Sequence, residues 1–333
     1  MIQPTAVGSR LIYAIKGVLN MANIRPFTGN DTQEMLALWA AALPLDAITL
    51  NLFERKVLLD VNREQDSLVV AEKGGRLSGF ALRLALRRPI ENVGMRPDDG
   101  FITAFGVHPD FRKRGIGSAL LENSIEWFKQ KGRKQILIAP YTPNYFVPGI
   151  DKEAYADGVR LFQKYGFVEY SEAIAMDAPI SKFTIAKEVL EKEKALLAEG
   201  IEVRLYRRED LLNYLEFQGT LMPGPWLEDA RRNLIDLTRG LYGEDCIIIA
   251  IDKGKIIGFC QYEGDHFGPF GVSDAYQGIG IGSVLLAKTL YQMRIKGYHC
   301  AWVLWTGERA AKGVYGRLGF TITRRMAIMK KII

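Results

Sequence analysis

A glycine-containing turn between a strand-like run and a helix-like run carries the clearest chemistry in this sequence of 333 residues. An apolar run leads into Gly115 and Gly117, and an amphipathic run follows them. Residues 270–286 repeat the whole unit at a constant offset of 165 residues, with Gly280 and Gly282 in the same places. One offset that holds over a strand, a turn and a helix indicates two copies of one domain.

Both turns are suited to binding an anion. The first N–H groups of a helix have no internal partner and lie at the positive end of the helix dipole. Phosphate and pyrophosphate fit such a place, and glycine lets the backbone approach them closely. The first copy adds basic side chains, whereas the second depends on backbone donors. The predicted binding residues are Arg112, Lys113, Arg114, Gly115, Ile116, Gly117 and Ser118 in the first turn and Gln277, Gly278, Ile279, Gly280, Ile281, Gly282 and Ser283 in the second.

Two other phosphate-binding turns are excluded by their spacing. A dinucleotide-binding fingerprint needs a further glycine at the positions that Leu120 and Leu285 occupy here. A nucleotide P-loop needs Gly-Lys-Ser/Thr, which neither turn contains. A plain solvated turn remains as the alternative, and the repetition of the whole unit argues against it.

The motif Arg/Gln-x-x-Gly-x-Gly after a strand resembles the pyrophosphate loop of the GNAT superfamily of acyl-CoA-dependent N-acetyltransferases. A second family landmark, an aromatic residue four positions before Gly-Phe, occurs at Phe162 and at Tyr315. The resemblance covers nearly the whole chain as a tandem pair, similar to the mycothiol synthase-like arrangement. It implies an α/β (α+β) fold of two GNAT-like domains, each a mixed, mostly antiparallel sheet with helices on both faces.

The resemblance also implies a mechanism, in which a primary amine attacks the thioester of acetyl-CoA directly. The cofactor arm would pair with the strand that leads into each turn, and a backbone N–H near Val107 or Val272 would stabilise the oxyanion. Tyr315 stands where the family places the acid that protonates the leaving thiolate, whereas Phe162 has no proton to give. We therefore expect the C-terminal domain to be the catalytic one.

Candidates for the proton acceptor lie at the end of the strand before the second turn. Glu263, Asp265 and His266 form the best acidic cluster near the predicted thioester. A carboxylate there could accept the amine proton directly or through water, so Glu263 is the first candidate. Each of the three is also an ordinary polar residue for a strand end. His108, at the equivalent place in the first copy, is interpreted as structural.

The composition indicates a soluble globular protein of about two domains, at roughly 150 residues each. Hydrophobic residues make up 48% and charged residues 25% of the chain, and the formal net charge is +6. The basic turn accounts for part of that charge. No basic stripe alternates with aromatic residues, so we do not expect a nucleic-acid partner.

The cysteines and histidines predict no metal site and no disulfide. Cys246, Cys260 and Cys300 are odd in number and lack Cys-x-x-Cys spacing, which is typical of thiols in a reducing cytoplasm. The three histidines show no metal-ligand spacing, and no apolar run reaches the length of a membrane span. We therefore expect a cytoplasmic protein with no metal and no membrane partner. A homo-oligomer is compatible with the sequence.

The elements that position these residues divide the chain into four predicted segments. They are a leader (1–20), an N-terminal GNAT domain (21–180), a linker helix (181–200) and a C-terminal GNAT domain (201–333). The first helix is predicted to begin at Asp31 as its N-cap, with Glu34 completing a capping box. Apolar stripes predict the core faces of the two helices that follow the turns, at Leu121, Ile125 and Phe128 and at Leu286, Leu290 and Met293.

The copies diverge at residues 140–151, where the first holds an insertion rich in Tyr, Phe and Pro. It is either a packed contact between domains or a wall of the acceptor pocket, and the two interpretations stand equal. We expect acetyl transfer to a small-molecule amine, with an amino-sugar-like acceptor favoured because the insertion could stack on a sugar ring. A protein or peptide N-acetyltransferase and a non-catalytic CoA-binding regulatory module are the alternatives. An aminoacyl-tRNA-dependent transferase is disfavoured, since both turns are intact.

Overall fold

The computed structural model describes residues 22–142 and 144–333, so the predicted leader lies outside the described residues. The described strands join in one sheet of 13. They are β1 Asn23–Pro26, β2 Leu68–Lys73, β3 Arg76–Ala85, β4 Asp99–Val107, β5 Gln135–Ile138, β6 Ile150–Asp151, β7 Val168–Pro179, β8 Ile201–Leu205, β9 Ile247–Asp252, β10 Lys255–Glu263, β11 His266–Val272, β12 Cys300–Thr306 and β13 Thr321–Ile332.

Two π-helical segments, Glu54–Leu58 and Ala311–Tyr315, directly follow the short α-helices Leu50–Phe53 and Glu308–Ala310. The helices are α1 Thr32–Ala42, α2 Leu50–Phe53, α3 Ile116–Gln130, α4 Ala156–Lys164, α5 Lys187–Ala198, α6 Leu211–Leu221, α7 Pro225–Thr238, α8 Ile281–Ile295 and α9 Glu308–Ala310. Helix α5 lies within the predicted linker segment. We refer below to residues 22–180 as the N-terminal half and to residues 201–333 as the C-terminal half.

Helices cover both faces of the sheet, because successive side chains of a strand point to opposite sides. In β2, Leu68 and Val70 pack with α1, while Val69 and Ala71 pack with α3. The same alternation in β9 serves α6 and α7 on one face and α8 on the other. Leu121 and Phe128 are fully buried, as are Leu286, Leu290 and Met293. Helices on both faces and the predicted core stripes are thus confirmed.

The closing strands of the two halves are exchanged. The order in the sheet is β1-β2-β3-β4-β5-β13-β7-β12-β11-β10-β9-β8, and β6 pairs with β13. Strand β13, the last in the chain, lies beside β5 of the N-terminal half, with Met329 opposite Ile138. Strand β7 lies beside β12 of the C-terminal half, with Ala178 opposite Ala301. Each half therefore completes the sheet of the other, and the two predicted sheets form one surface.

A gap opens in each half between its two parallel strands, while the remaining pairs are antiparallel. Pairing of β4 with β5 runs from Asp99 to Ile102 and stops where β5 ends. Pairing of β11 with β12 occurs only at His266 and Trp302. Beyond these points the strands diverge, so the edges of β4 and β11 are free to bind an extended ligand.

Asp31 occupies the predicted N-cap position of α1, but the contacts of its side chain differ from the prediction. Asp31 caps no N–H of α1 with its side chain; its carboxylate instead accepts hydrogen bonds from Thr28 at the turn before the helix. Arg25 binds the same carboxylate through two nitrogens, at 2.8 and 2.9 Å. Glu34 accepts from the Leu77 N–H, at 2.9 Å. The capping box exists one turn earlier, because an arginine on β1 competes for the aspartate.

Candidate active site

The first turn gathers free backbone donors between β4 and α3. Gly115 has a φ of +83° and is followed at once by α3, so the N–H groups of residues 116–118 begin the helix. Any other residue would be strained at that φ. A Cβ at Gly117 would lie 3.1 Å from Leu161, so the turn also packs closely on α4. The turn can hold an anion with main-chain N–H groups.

Basic side chains flank the first turn in two roles. The Arg112 guanidinium donates to the carbonyls of Val107, at 3.2 Å, and Ala42, at 3.1 Å. It therefore joins the turn to β4 and to the end of α1. Lys113 and Arg114 are exposed beside it. These two residues remain the available cations for a phosphate group.

The second turn has the same backbone form but a different cover. Gly278 and Gly280 have φ of +84° and +100°, and α8 begins directly after Gly280. Gln277 donates to the Asp274 carboxylate at 2.6 Å. A Cβ at Gly280 would lie 2.8 Å from side-chain carbons of Lys192 on α5. The turn has no basic residue of its own, and the linker helix brings one to it.

A cavity of about 660 Å³ in the N-terminal half, here called cavity one, joins the first turn to the free edge of β4. Phe162 lines it, with its ring 5.4 Å from that of Phe105. Arg114 lies outside the lining, and Ile116 is buried. The other predicted residues of this half line the cavity together: Val107, Arg112, Lys113, Gly115, Gly117 and Ser118.

Cavity one also contains a phenol and a carboxylate that our sequence analysis did not single out. Tyr155 accepts a hydrogen bond from the Leu45 N–H at 3.2 Å, and both Tyr155 and Asp46 line the cavity. Burial and the adjacent Asp46 raise the pKa of Tyr155. Arg324 of β13 binds Asp46 and Asp151, each at 2.7 Å. The exchanged strand thus stabilises one wall of this cavity, which no local sequence pattern signals.

A second cavity of about 670 Å³, cavity two, brings together Tyr315, Glu263 and His266 of the C-terminal half. It reaches Phe270 on the free edge of β11, but its lining does not include residues 277–283 of the second turn. Asp265 lies outside this lining and accepts a hydrogen bond from the Trp302 indole at 2.8 Å. Three of the four predicted catalytic residues therefore share one cavity, apart from the turn.

The environment of Tyr315 keeps its phenol protonated. The ring packs against Phe267 and Phe320, at centroid distances of 6.1 and 5.4 Å. Burial raises the pKa of Tyr315 well above the value for a free tyrosine. A neutral phenol that faces a cavity can donate a proton to a group that develops negative charge.

Glu263 and His266 differ in their ability to accept a proton. Glu263 is exposed and accepts a hydrogen bond from Tyr242 at 2.6 Å. His266 lies over Trp302, with ring centroids 4.2 Å apart. Burial lowers the pKa of His266, so its imidazole is neutral at physiological pH. Both side chains line the same cavity as Tyr315.

The insertion at residues 140–151 is a packed contact between the halves, which is one of its two interpretations. The Tyr145 ring contacts Trp226 and Trp305 of the C-terminal half, at 6.2 and 5.7 Å. Tyr145 and Phe146 also line cavity two. The insertion is therefore at once a contact between the halves and a wall of the pocket that holds Tyr315.

Lys56 and Asp229 are among the ionisable residues of cavity two that the sequence did not point to. Lys56, which follows α2 of the N-terminal half, donates to the Tyr145 carbonyl at 2.5 Å, and burial lowers its pKa to about 8. Burial raises the pKa of Asp229 on α7, which is paired with Arg232. Only folding brings α2 and α7 to the same cavity, so sequence spacing holds no signal for them.

Residues 22–142 and 144–333 hold no group of three or more His, Cys, Asp or Glu side chains placed to bind a metal ion. None of the helices in that part of the chain is long and apolar enough to span a bilayer.

Each half of the chain matches a known protein family on its own. Residues 32–146 match the Acetyltransferase (GNAT) family, and residues 243–322 match the Acetyltransferase (GNAT) domain. The two matches together span more than half of the chain. The first match includes the first turn, and the second match includes the second turn.

Similar proteins extend this likeness over both halves. The mycothiol acetyltransferase of Saccharopolyspora erythraea is 24% identical over 273 residues, covering 77% of this chain and 82% of that protein. A tandem GNAT protein from the clavulanic acid biosynthesis pathway has a TM-score of 0.60 at 16% identity, over 93% of this chain and 98% of that one.

A longer structure shares the fold as well. The glucosamine N-acetyltransferase region of a fungal multi-domain GH3 β-N-acetylglucosaminidase has a TM-score of 0.75 at 16% identity. The match covers 93% of this chain and 38% of that one. Both family matches, the paired turns and the paired gaps agree: the chain belongs to the GNAT acetyltransferase family and is an acyltransferase with two tandem GNAT domains.

Proposed function

We propose that this protein transfers the acetyl group of acetyl-CoA to a primary amine of a small molecule, and that the C-terminal half performs the transfer. The observation that carries the proposal is the meeting of Tyr315, Glu263 and His266 in cavity two, beside the free edge of β11. Cavity one of the N-terminal half has Phe162 at the position that matches Tyr315, and its phenol, Tyr155, lies elsewhere in the chain.

Acetyl-CoA fits the residues around both turns. Its diphosphate would be held by the first N–H groups of α3 or α8, with Lys113 or Lys192 supplying charge. Its extended arm would pair with the free edge of β4 or β11. The backbone N–H near Val107 or Val272 would stabilise the negative oxygen of the reacting thioester. Cavity one supports this assignment best, because its lining includes both the turn and the strand edge.

The side chains of cavity two fit the two proton transfers of the reaction. The amine nitrogen attacks the thioester carbonyl, so a C–N bond forms and the C–S bond breaks. Glu263, directly or through water, accepts the proton that the amine loses, and His266 is the second candidate. Tyr315 gives its proton to the departing thiolate. Burial keeps the phenol of Tyr315 protonated at neutral pH, which is the state that this role requires.

The walls of cavity two favour an amino-sugar-like acceptor. Aromatic rings from both halves line it, among them Tyr145, Trp226, Trp302 and Trp305. Such rings pack against the apolar faces of sugars, while polar side chains between them bind hydroxyl groups. The names of two similar proteins, a mycothiol acetyltransferase and a glucosamine N-acetyltransferase region, support the same class. A peptide N-terminus is the second candidate acceptor.

A panel of amines tests the proposal by measuring the release of CoA thiol from acetyl-CoA. We expect amino sugars to raise the release above the rate of hydrolysis. Release that never exceeds that background, with tight binding of CoA, would support a non-catalytic regulatory module instead. Preferred turnover of peptides would replace the acceptor class but not the reaction.

The assignment of the transfer to one half has its own test. Gly115→Glu and Gly280→Glu place a bulky negative side chain in the first and the second turn. Calorimetry should show one CoA site lost in each variant. Turnover should survive Gly115→Glu and fail in Gly280→Glu, and the reverse pattern would move the catalytic site to the N-terminal half.

A further inference from the structure

A lysine of the N-terminal half enters the cavity that contains Tyr315. Lys56 follows α2 and lines cavity two. Its ammonium lies 5.7 Å from the ring centre of Tyr145 and 5.5 Å from that of Phe146. It donates to the Tyr145 carbonyl at 2.5 Å. The side chain is thus held at the wall of the cavity by the insertion.

Each carboxylate that shares this cavity already has a donor. Arg232 pairs with Asp229, and Tyr242 donates to Glu263 at 2.6 Å. Asp236 lies 3.5 Å from Arg239. These contacts give each of the three carboxylates a partner other than Lys56.

Lys56 itself has no such partner. Within residues 22–142 and 144–333, no carboxylate oxygen lies within 4.0 Å of its Nζ, although Asp229 and Glu263 act on it from farther away. Arg55 and Arg232 add positive charge nearby. A half-buried ammonium that is bound only by a carbonyl and two ring faces is incompletely compensated.

We propose that Lys56 binds an anionic substituent of the acceptor, a carboxylate or a phosphate, so that the C-terminal half selects amines that also carry a negative group. This inference rests on the proposed function and narrows its substrate class. The volume of about 670 Å³ accommodates a small polar molecule beside the aromatic walls. An anion at Lys56 would fix the molecule at one end and leave its amine for the acyl group.

The alternative is that Lys56 only pins the insertion through the Tyr145 carbonyl. A pin would affect neutral and anionic acceptors equally, since its loss would deform the whole wall. The ratio of kcat/KM between matched acceptors separates the two roles, because a purely structural residue does not change that ratio.

The experiment uses the full chain and two matched pairs of acceptors. The pairs are glucosamine with glucosamine 6-phosphate, and phenylalaninamide with phenylalanine. Release of CoA thiol gives kcat/KM, and calorimetry with CoA present gives affinity where release is slow. The variants are Lys56→Met, Lys56→Arg as the conservative change, and Lys129→Met as a control that removes one exposed charge outside the lining of both cavities.

We expect the wild type to prefer the anionic member of a pair by about tenfold or more, which is typical of a charge-assisted hydrogen bond. Lys56→Met should bring that ratio close to one, while Lys56→Arg and Lys129→Met should keep it. The proposal fails if no anionic member is acetylated or bound better than its neutral partner. It also fails if Lys56→Met lowers both members equally. In either case turnover of neutral amines would leave the proposed acetyl transfer intact.

Discussion

Tyr315 and Phe162 hold equivalent places in the two halves, and one oxygen atom separates their chemistry. We predict that Tyr315→Phe lowers kcat on the order of a hundredfold, the size of a lost general acid. The KM for acetyl-CoA should change little, because in the proposed mechanism the phenol would interact with the leaving sulfur only as charge develops. Steady-state kinetics of CoA release measure both constants.

Tyr298→Phe is the matched control for that prediction. Tyr298 packs beside Tyr262, at 6.3 Å, and lines neither cavity. It should leave kcat and KM unchanged. Equal turnover of wild type and Tyr315→Phe would remove Tyr315 from the mechanism and point to a neutral water as the acid.

Asp31 gives a prediction on stability at the same scale. The Arg25 guanidinium beside it, against the opposing effect of burial, lowers the pKa of Asp31 to about 2, compared with 3.8 for a free aspartate. A lowered folded pKa stabilises the fold above the unfolded pKa, so this contribution is lost as pH falls from about 4 to about 2. We expect Asp31→Asn to lower the free energy of unfolding at pH 7 by about 2 kcal/mol.

Urea denaturation at several pH values tests the role of Asp31. The difference between wild type and Asp31→Asn should shrink as the pH falls below about 4. Asp98→Asn, which removes the exposed partner of Lys134, should cost less than about 1 kcal/mol at every pH. A pH-independent difference for Asp31→Asn would mean that lost packing, not charge, sets the cost.

At the scale of elements, α5 does more than connect the halves. Its Lys192 lies over Gly280, where the second turn lacks a basic residue. We predict that Lys192→Glu weakens CoA binding in the C-terminal half about tenfold, because it replaces the nearby cation with an anion beside the proposed diphosphate site. Calorimetry in the Gly115→Glu background isolates that half.

Lys187→Glu is the matched control, because it makes the same change of charge at the start of α5. Lys187 is highly exposed and pairs with Glu191. The variant should leave CoA affinity nearly unchanged. Tighter binding in Lys192→Glu, or in Lys192→Ala, would show that the lysine obstructs the turn instead of assisting it.

Short elements near the turns were predictable because their signals are local. Gly115 and Gly280 occupy the left-handed positions directly before α3 and α8. The apolar stripes of both helices follow from a period that a single segment contains. The side-chain contacts of Asp31 were not predictable in this way, because Arg25 on β1 competes for its carboxylate.

At the scale of the whole molecule, the exchange of β7 and β13 was not predictable from the chain. Both strands have buried central residues and can pair with either neighbour without placing polar groups inside. The presence of Lys56 and Tyr315 in the lining of one cavity depends on the same long-range arrangement. Sequence patterns determine which face of a strand is buried, but they do not determine which strand lies beside it.

The exchange predicts that the halves behave as one folding unit. A protease site placed in residues 181–186, which precede α5, would allow the chain to be cut between β7 and β8. We expect the cut protein to elute from gel filtration as a single complex, because β7 and β13 pair along most of their length. The same two segments, expressed separately, should not yield soluble folded monomers, since each lacks its closing strand.

Co-expression of the two segments is the control, and it should restore the complex. Separation of the cut chain into two compact monomers under native conditions would contradict the exchanged pairing. Cooperative unfolding of either segment alone would contradict it as well.

The position of β13 has a consequence for biosynthesis. A nascent chain leaves the ribosome from its N-terminus. Strand β13, which pairs with one edge of β5, therefore emerges after all the other described strands. Until then β5 presents an open edge that can recruit strands of other chains. We therefore expect the N-terminal half to complete its fold only when β13 is available, and removal of β13 to leave aggregation-prone chains.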